Sequence, residues 1–248
     1  MYITDKDHLI SSLQKAVPMP PANRVLMVDP AFFSVDYVIN PHMEGNIGTV
    51  DHNVARAQWQ SVHDIFTQLR LNVSVLEGQK GLPDMVFCAN QSLPFIDDEG
   101  NKSVVMSHMY SEHRTNEVPF IEQWFRRQGV QIHFLKTASA FEGMGDALWH
   151  YKKRFLWGGY GFRTSPEVYQ EIQDLFNTPV ALLKLTHPSF YHLDTCFCIL
   201  NEQSVLIYPD AFDADGLEWI HAGFKRVIYA PEHEAKKLFA CNACCPDG

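Results

Sequence analysis

Apolar and polar positions along this chain fall into blocks that repeat. A strand-like run, a tight turn, a second strand, an amphipathic helix and a returning strand follow one another, and the order then begins again. The second strands line up as Ser103-Val104-Val105-Met106-Ser107, Arg154-Phe155-Leu156-Trp157-Gly158 and Ser204-Val205-Leu206-Ile207-Tyr208. They lead in turn to Arg114-Thr115, Arg163-Thr164 and Asp213-Ala214-Asp215. A period of about fifty residues is in the range of internal structural repeats.

The helical blocks carry their own signals. Ser165, Pro166 and Glu167 suit a cap, a first helical position and the positive helix end. Val168, Tyr169, Ile172, Leu175 and Phe176 then share one face. Phe120, Ile121, Trp124 and Phe125 do the same one block earlier, where Gly129 ends the helix and Val130 to Leu135 read as the returning strand. Near the N-terminus, Val25 to Val28 reads as a strand and 54–69 as a helix with Val62, Ile65, Phe66 and Leu69 inward. Leu71 to Leu76 reads as the strand after it. The first strands of the blocks are expected at Met85 to Phe87, Ala147 to His150 and Thr195 to Leu200, with a fourth starting near Phe239-Ala240-Cys241. The chain stops at Gly248, so the pattern predicts a last unit cut off after its first strand. An ordinary α/β sandwich is the alternative.

Composition narrows the class. The chain has 248 residues, 46% hydrophobic and 20% charged, which is ordinary for a globular enzyme. A net charge of −9 argues against nucleic acid as the partner, because phosphate binding needs a basic face. The N-terminal stretch lacks the apolar core of a signal peptide, and no apolar run approaches membrane-spanning length. The six cysteines are expected to be reduced thiols of a cytoplasmic protein, with Cys196 and Cys198 buried in a strand.

Candidate chemistry lies in two segments, Phe141-Glu142-Gly143-Met144-Gly145-Asp146 and Tyr191-His192-Leu193-Asp194-Thr195. Carboxylates can hold a planar guanidinium through paired N–H···O bonds, and a nearby His can move protons. Glu142 and Asp146 are also suited to stabilising a Gly turn; function is expected of Glu142 and structure of Asp146. Arg114 and Arg163 recur at equivalent places, which suits either a substrate carboxylate or the repeat itself. Asp84 is either a substrate contact or a turn residue. Cys241, Cys244 and Cys245 lack the second ligand pair that a structural zinc usually needs, so no metal is expected.

These residues resemble the pentein, or guanidino-group-modifying, superfamily of arginine deiminases, dimethylarginine dimethylaminohydrolases, amidinotransferases and arginine dihydrolases. The resemblance runs from Asn40 to Asn242. It implies an α/β fold, a five-bladed propeller of ββαβ repeats forming one catalytic domain over 1–248, with the last blade incomplete. It implies Glu142 and His192 as catalytic groups, the first orienting a guanidinium and the second acting as base. Asn40, Asp84, Asn90, Arg114, Arg163 and Asp194 are implied as substrate contacts, the two arginines through the α-carboxylate. Asn90 in Cys88-Ala89-Asn90, together with Asp194, is similar to the arginine dihydrolase branch. Met144 stands where the family commonly has Gly.

The family's nucleophilic Cys follows a further strand, helix and Gly-rich loop, and this chain ends before such a segment. Cys241, Cys244 and Cys245 around Asn242-Ala243 resemble the entry to the last blade instead. The implied function is a cofactor-free amidinohydrolase acting on arginine or a close derivative, with a homo-oligomer left open. The alternatives are an amidinotransferase, and a non-catalytic arginine-binding protein or inactive fragment.

Overall fold

The computed structural model describes residue 3 and residues 5–246. The expected domain ends at residues 1 and 248 lie outside the described residues. Helix α1 (Lys6–Lys15) opens the fold, capped by Asp5, which accepts the His8 amide at 2.8 Å. Its Leu9 and Leu13 join the core around Phe155, Trp157 and Phe224. The sequence reading did not anticipate this helix.

Four sheets follow. The first holds β1 (Arg24–Val28) parallel to β2 (Asn72–Leu76), connected through α2 (His52–Gln68). The second orders β3 (Ser92–Ile96), β4 (Lys102–Met106) and β5 (Gln131–Phe134), with the short α3 (Glu112–Thr115) and α4 (Val118–Arg127) between the last two. In the third, α5 (Gly143–Asp146) leads into β6 (Ala147–Trp149), β7 (Leu156–Tyr160), α6 (Val168–Phe176) and β8 (Val180–Lys184). The fourth has β9 (Phe197–Asn201), β10 (Ser204–Ile207), α7 (Ala214–Gly223) and β11 (Arg226–Tyr229), and α8 (Glu232–Leu238) comes last. In each three-stranded sheet the first pair is antiparallel and the second parallel. That is the ββαβ repeat. The parallel pair needs the long helical crossover, while the antiparallel pair is joined by a tight turn.

Several expected elements differ. Pro83–Val86 is a 3-10 turn rather than a first strand, because Pro83 presets a helical φ and the Phe87 amide closes onto the Asp84 carbonyl at 2.9 Å. The true first strand is β3, which contains Pro94; it lies at the sheet edge, where a missing donor is tolerated. Leu193–Thr195 is likewise a 3-10 turn, and the strand begins at Phe197. No strand starts at Phe239, whose left-handed φ of +52° ends α8. Val62, Ile65 and Leu69 of α2 are exposed, not inward, since α2 overlies a sheet of only two strands.

The repeat places one short turn before each first strand: Pro83–Val86 before β3, α5 before β6 and Leu193–Thr195 before β9. Each turn holds an acid, namely Asp84, Asp146 and Asp194. Glu142 and His192 are the residues immediately preceding the second and third turns. Contacts of α5 with β3, with β7 and with the 193–195 turn draw these segments together.

Candidate active site

Glu142 is fully buried and organises the cluster. Its Oε2 lies 2.6 Å from His192 Nε2. Arg163 Nη1 donates to both carboxylate oxygens, at 3.4 and 3.2 Å, and the Tyr110 amide donates to Oε1 at 3.0 Å. The Glu142 amide donates to the Thr164 hydroxyl at 3.0 Å. Burial opposes charge on Glu142, but the hydrogen bond and charge of His192 and the charges of Arg163 and Arg114 outweigh it and hold the carboxyl at about 2.

The Gly-rich turn fits because two side chains are missing. Gly143 has a φ of +49°, and a Cβ there would sit 2.5 Å from the Ser92 carbonyl oxygen. A Cβ on Gly145 would lie 2.4 Å from Asn90 Nδ2 and 3.3 Å from His192 Cγ. Asp146 closes the same turn from below. It is 1% exposed, its Oδ1 accepts the Leu193 amide at 3.0 Å, and burial pushes its carboxyl up to about 7.

Arg114 is buried and committed to the protein. Its Nε and Nη2 bond Glu117, Nη2 also reaches the carbonyls of Asp84 and Phe87, and Nη1 donates to Asn90 Oδ1 at 2.7 Å. Glu117, which the sequence reading missed, is fully buried and held also by Gln91. The i, i+3 spacing of Arg114 and Glu117 was the available signal. Arg163 sits against the faces of Tyr191 and Tyr110, at 4.8 and 5.9 Å, and donates to the Ile39 carbonyl at 2.7 Å. That bond ties down the 33–50 segment. In that segment Asn40 caps a turn by accepting the His42 amide.

Asp84 is 2% exposed. Its Oδ2 accepts the Tyr37 hydroxyl at 2.9 Å, and its Oδ1 is buried with no partner among the described residues. Burial raises its pKa, opposed by Arg114, Tyr37 and Arg163. Asp194 is half-buried, and burial pushes it up to about 7, with Arg114 pulling down and Glu142 pushing up. Asn242 Nδ2 donates to the Asp194 carbonyl at 3.0 Å. The structure therefore brings Asp84, Asn90, Arg114, Glu142, Arg163, His192 and Asp194 into one electrostatic cluster and leaves Asn40 at its margin.

Three of the thiols are held by backbone carbonyls. Cys196 Sγ donates to the carbonyls of His192 and Leu193, Cys198 to Ala243 and Cys88 to Leu26. Burial pushes Cys88 and Cys241 up to about 11 and Cys198 up to about 12. Among the described residues no group of three or more His, Cys, Asp or Glu is placed to hold a metal ion. Nor is any described helix long and apolar enough to cross a membrane.

Residues 40–244 match the family described as N,N dimethylarginine dimethylhydrolase, eukaryotic. The chain belongs to this family. It is 35% identical over 224 residues to N(G),N(G)-dimethylarginine dimethylaminohydrolase of Mycobacterium tuberculosis, covering 90% of this chain and 70% of that one. It is also 40% identical over 223 residues to the bifunctional arginine dihydrolase/ornithine cyclodeaminase ArgZ of Synechocystis, covering 89% of this chain. The chain spans about 30% of the length of that relative and of its Nostoc counterpart AgrE. Among solved structures, the substrate-bound N-terminal domain of ArgZ, a cysteine-to-serine variant, matches with a TM-score of 0.84 at 39% identity, covering 90% of this chain and 81% of that one. A dimethylarginine dimethylaminohydrolase adduct at 18% identity shares the fold with a TM-score of 0.73, covering 91% of this chain and 82% of that one. The fold is the pentein-type α/β propeller.

Proposed function

We propose that this family member is a single pentein catalytic domain that binds the guanidinium of L-arginine and serves its hydrolysis, with L-ornithine, carbon dioxide and ammonia as products. The observation that carries the reading is the convergence of three acids and one His on a site where one buried acceptor, Asp84 Oδ1, lacks a partner among the described residues. A buried carboxylate oxygen calls for a donor, and a cationic donor meets the net negative field of Asp84, Asp194 and Glu142 best.

In this reading Asp84 and Asp194 hold guanidinium N–H groups and fix the plane of the group. That lowers the cost of bringing a thiolate to its central carbon. The thiolate, which the family resemblance assigns to a Cys that follows a further strand, helix and Gly-rich loop, adds to that carbon, and the C–N bond to a terminal nitrogen breaks. His192, held by Glu142, gives that nitrogen a proton, so that ammonia departs and a thiouronium remains. His192 then takes a proton from water, whose oxygen adds to the same carbon and releases the thiol and L-citrulline. A second round, cleaving the remaining ureido group, consumes one more water and gives L-ornithine, carbon dioxide and ammonia. Across both rounds, two waters enter and two ammonia molecules leave. Binding of arginine to the protein, followed by product analysis by mass spectrometry, tests the reading. Ornithine or citrulline formed from bound arginine supports it, and a folded protein that binds no guanidino compound overturns it.

The relatives favour arginine over its methylated derivatives as the first substrate to try. ArgZ is an arginine dihydrolase, and the AgrE structure is a ternary complex with ornithine and NAD+. Asn90, bonded to Arg114, supports the same choice through the branch resemblance of its segment.

A further inference from the structure

Strand β9 and the 241–245 segment that follows α8 bring several thiols together outside the Glu142–His192 cluster. Cys198 of β9 is 3% exposed and lies within electrostatic reach of Cys241, Cys244 and Cys245. Its Sγ donates to the Ala243 carbonyl at 3.3 Å, and its side chain also hydrogen-bonds that of Cys245. A thiol has one hydrogen, so in the second contact the Cys245 S–H points at the Cys198 sulfur. Cys198 is buried, Cys245 half-buried and Cys244 exposed.

We propose that Cys198 and Cys245 form a thiol modification site: a low-molecular-weight disulfide oxidises the pair to an intramolecular disulfide that fastens the 241–245 segment to β9. The reagent meets Cys245 first, because that side chain is half-buried while Cys198 is enclosed. The Cys245 sulfur attacks the reagent's S–S bond, one small thiol leaves with the Cys245 proton, and a mixed disulfide remains. The Cys198 sulfur then attacks the Cys245 sulfur, and the second small thiol leaves with the Cys198 proton. Two protein thiols and one disulfide reagent thus give one protein disulfide and two small thiols: the cysteines are oxidised and the reagent is reduced.

The backbone suits this closure. Cys198 is held in place, since β9 pairs with β10 and sets it opposite Leu206. Residues 243–245 carry no helix or strand, so they can close from hydrogen-bond contact to an S–S bond of about 2.0 Å. Burial and the neighbouring sulfurs push the Cys198 thiol up to about 12, so it attacks slowly until a mixed disulfide stands beside it. Asn242 of the same segment donates to the Asp194 carbonyl at 3.0 Å, so the bond fastens backbone that adjoins an acid turn.

The test does not depend on arginine binding. The folded parent protein, Cys244→Ser, Cys245→Ser and Cys198→Ala are equilibrated with oxidised and reduced glutathione and quenched in acid. Disulfides are then mapped by peptide mass spectrometry, and melting temperatures are measured before and after oxidation. The parent and Cys244→Ser are expected to gain a Cys198–Cys245 bond within one chain. Their melting temperature should rise by about 5 °C or more and fall back with dithiothreitol, because a bond closing a loop of about fifty residues constrains the unfolded chain. Cys245→Ser should show neither change, and Cys198→Ala should stop at a glutathione adduct on Cys245. A bond between Cys244 and Cys245 or between two chains overturns the proposal. So does a folded parent whose Cys245 stays free or glutathionylated, or a bonded protein that melts no higher than the reduced one.

Discussion

The Glu142 carboxylate and the His192 imidazole, fifty residues apart in sequence, meet at 2.6 Å between Oε2 and Nε2. The contact is dry, since Glu142 is fully buried and His192 is 3% exposed. Because Arg163 and the Tyr110 amide hold the same carboxylate, Glu142 cannot swing away from the ring without breaking several bonds. In the proposed chemistry, Glu142 acts chiefly by orienting His192, and the guanidinium is left to Asp84 and Asp194.

The half-buried Asp194 carries the clearest pH signature. Burial pushes its carboxyl up to about 7, so below that pH it is mostly protonated and cannot pair with a cation. Arginine affinity is expected to rise by about tenfold from about pH 6 to about pH 8 and to level off above that. Asp194→Asn should lose most of this dependence. Calorimetric affinities across the range check it, and a flat profile in the parent protein would remove Asp194 from cation binding.

Asp146 predicts a stability effect of opposite sign to an ordinary ion-paired acid. Its carboxyl sits at about 7 in the fold against 3.8 normally, so the native state holds its proton more tightly than the unfolded chain does. The cost of ionising it is absent below about pH 3.8, grows as pH rises toward 7 and is complete above 7. Asp146→Asn can still accept the Leu193 amide. The melting temperature of that variant relative to the parent should climb by roughly 5 °C between about pH 4 and about pH 8. A constant difference would show that Asp146 ionises without penalty.

The sequence made much of this legible, and what it hid has physical causes. The central strands β4, β7 and β10 and the helices α4 and α6 followed from apolar periodicity, and most of the predicted faces of the two helices pack inward, although Phe120 and Leu175 are exposed. Strand β3 was hidden by Pro94, tolerated at a sheet edge, and the neighbouring apolar run Met85 to Phe87 looked more strand-like than the turn that Pro83–Val86 forms. The inward face assigned to α2 came from periodicity alone, which states that a helix has an apolar stripe and not that anything covers it. Glu142, His192 and Asp194 stood out because motif neighbours surround them. Tyr37 and Thr164 did not, since a lone Tyr or Thr in irregular backbone has no local pattern.

Arg114 and Arg163 occupy equivalent repeat positions but are held differently, and substitution should separate them. Arg114→Ala strands the buried Glu117 and is expected to cost about 3–5 kcal/mol of stability. Arg163→Ala should weaken L-arginine more than agmatine, which lacks the carboxylate. Chemical denaturation and paired titrations measure both. Equal losses for the two ligands would remove Arg163 from carboxylate recognition, and an unshifted denaturation midpoint for Arg114→Ala would contradict its structural role.

Two glycines of one turn should fail in different ways. Gly143→Ala drives a Cβ into Ser92 backbone at 2.5 Å from a left-handed φ, so stability is expected to fall by about 3 kcal/mol or more. Gly145→Ala meets side chains instead, displacing the Asn90 amide and crowding the His192 ring. It should keep most of the stability and lose about tenfold in arginine affinity. Denaturation and titration of the two variants would show the reverse order if the turn served the fold alone.

The most direct measurement is a calorimetric titration of L-arginine, with L-lysine as the control cation, into the protein and its Asp84→Asn variant. One arginine bound per chain, no lysine bound, and arginine binding weakened about a hundredfold by Asp84→Asn is the result predicted for a guanidinium site built on a buried acceptor. Arginine binding that matches lysine, or that survives Asp84→Asn unchanged in a folded protein, would contradict it.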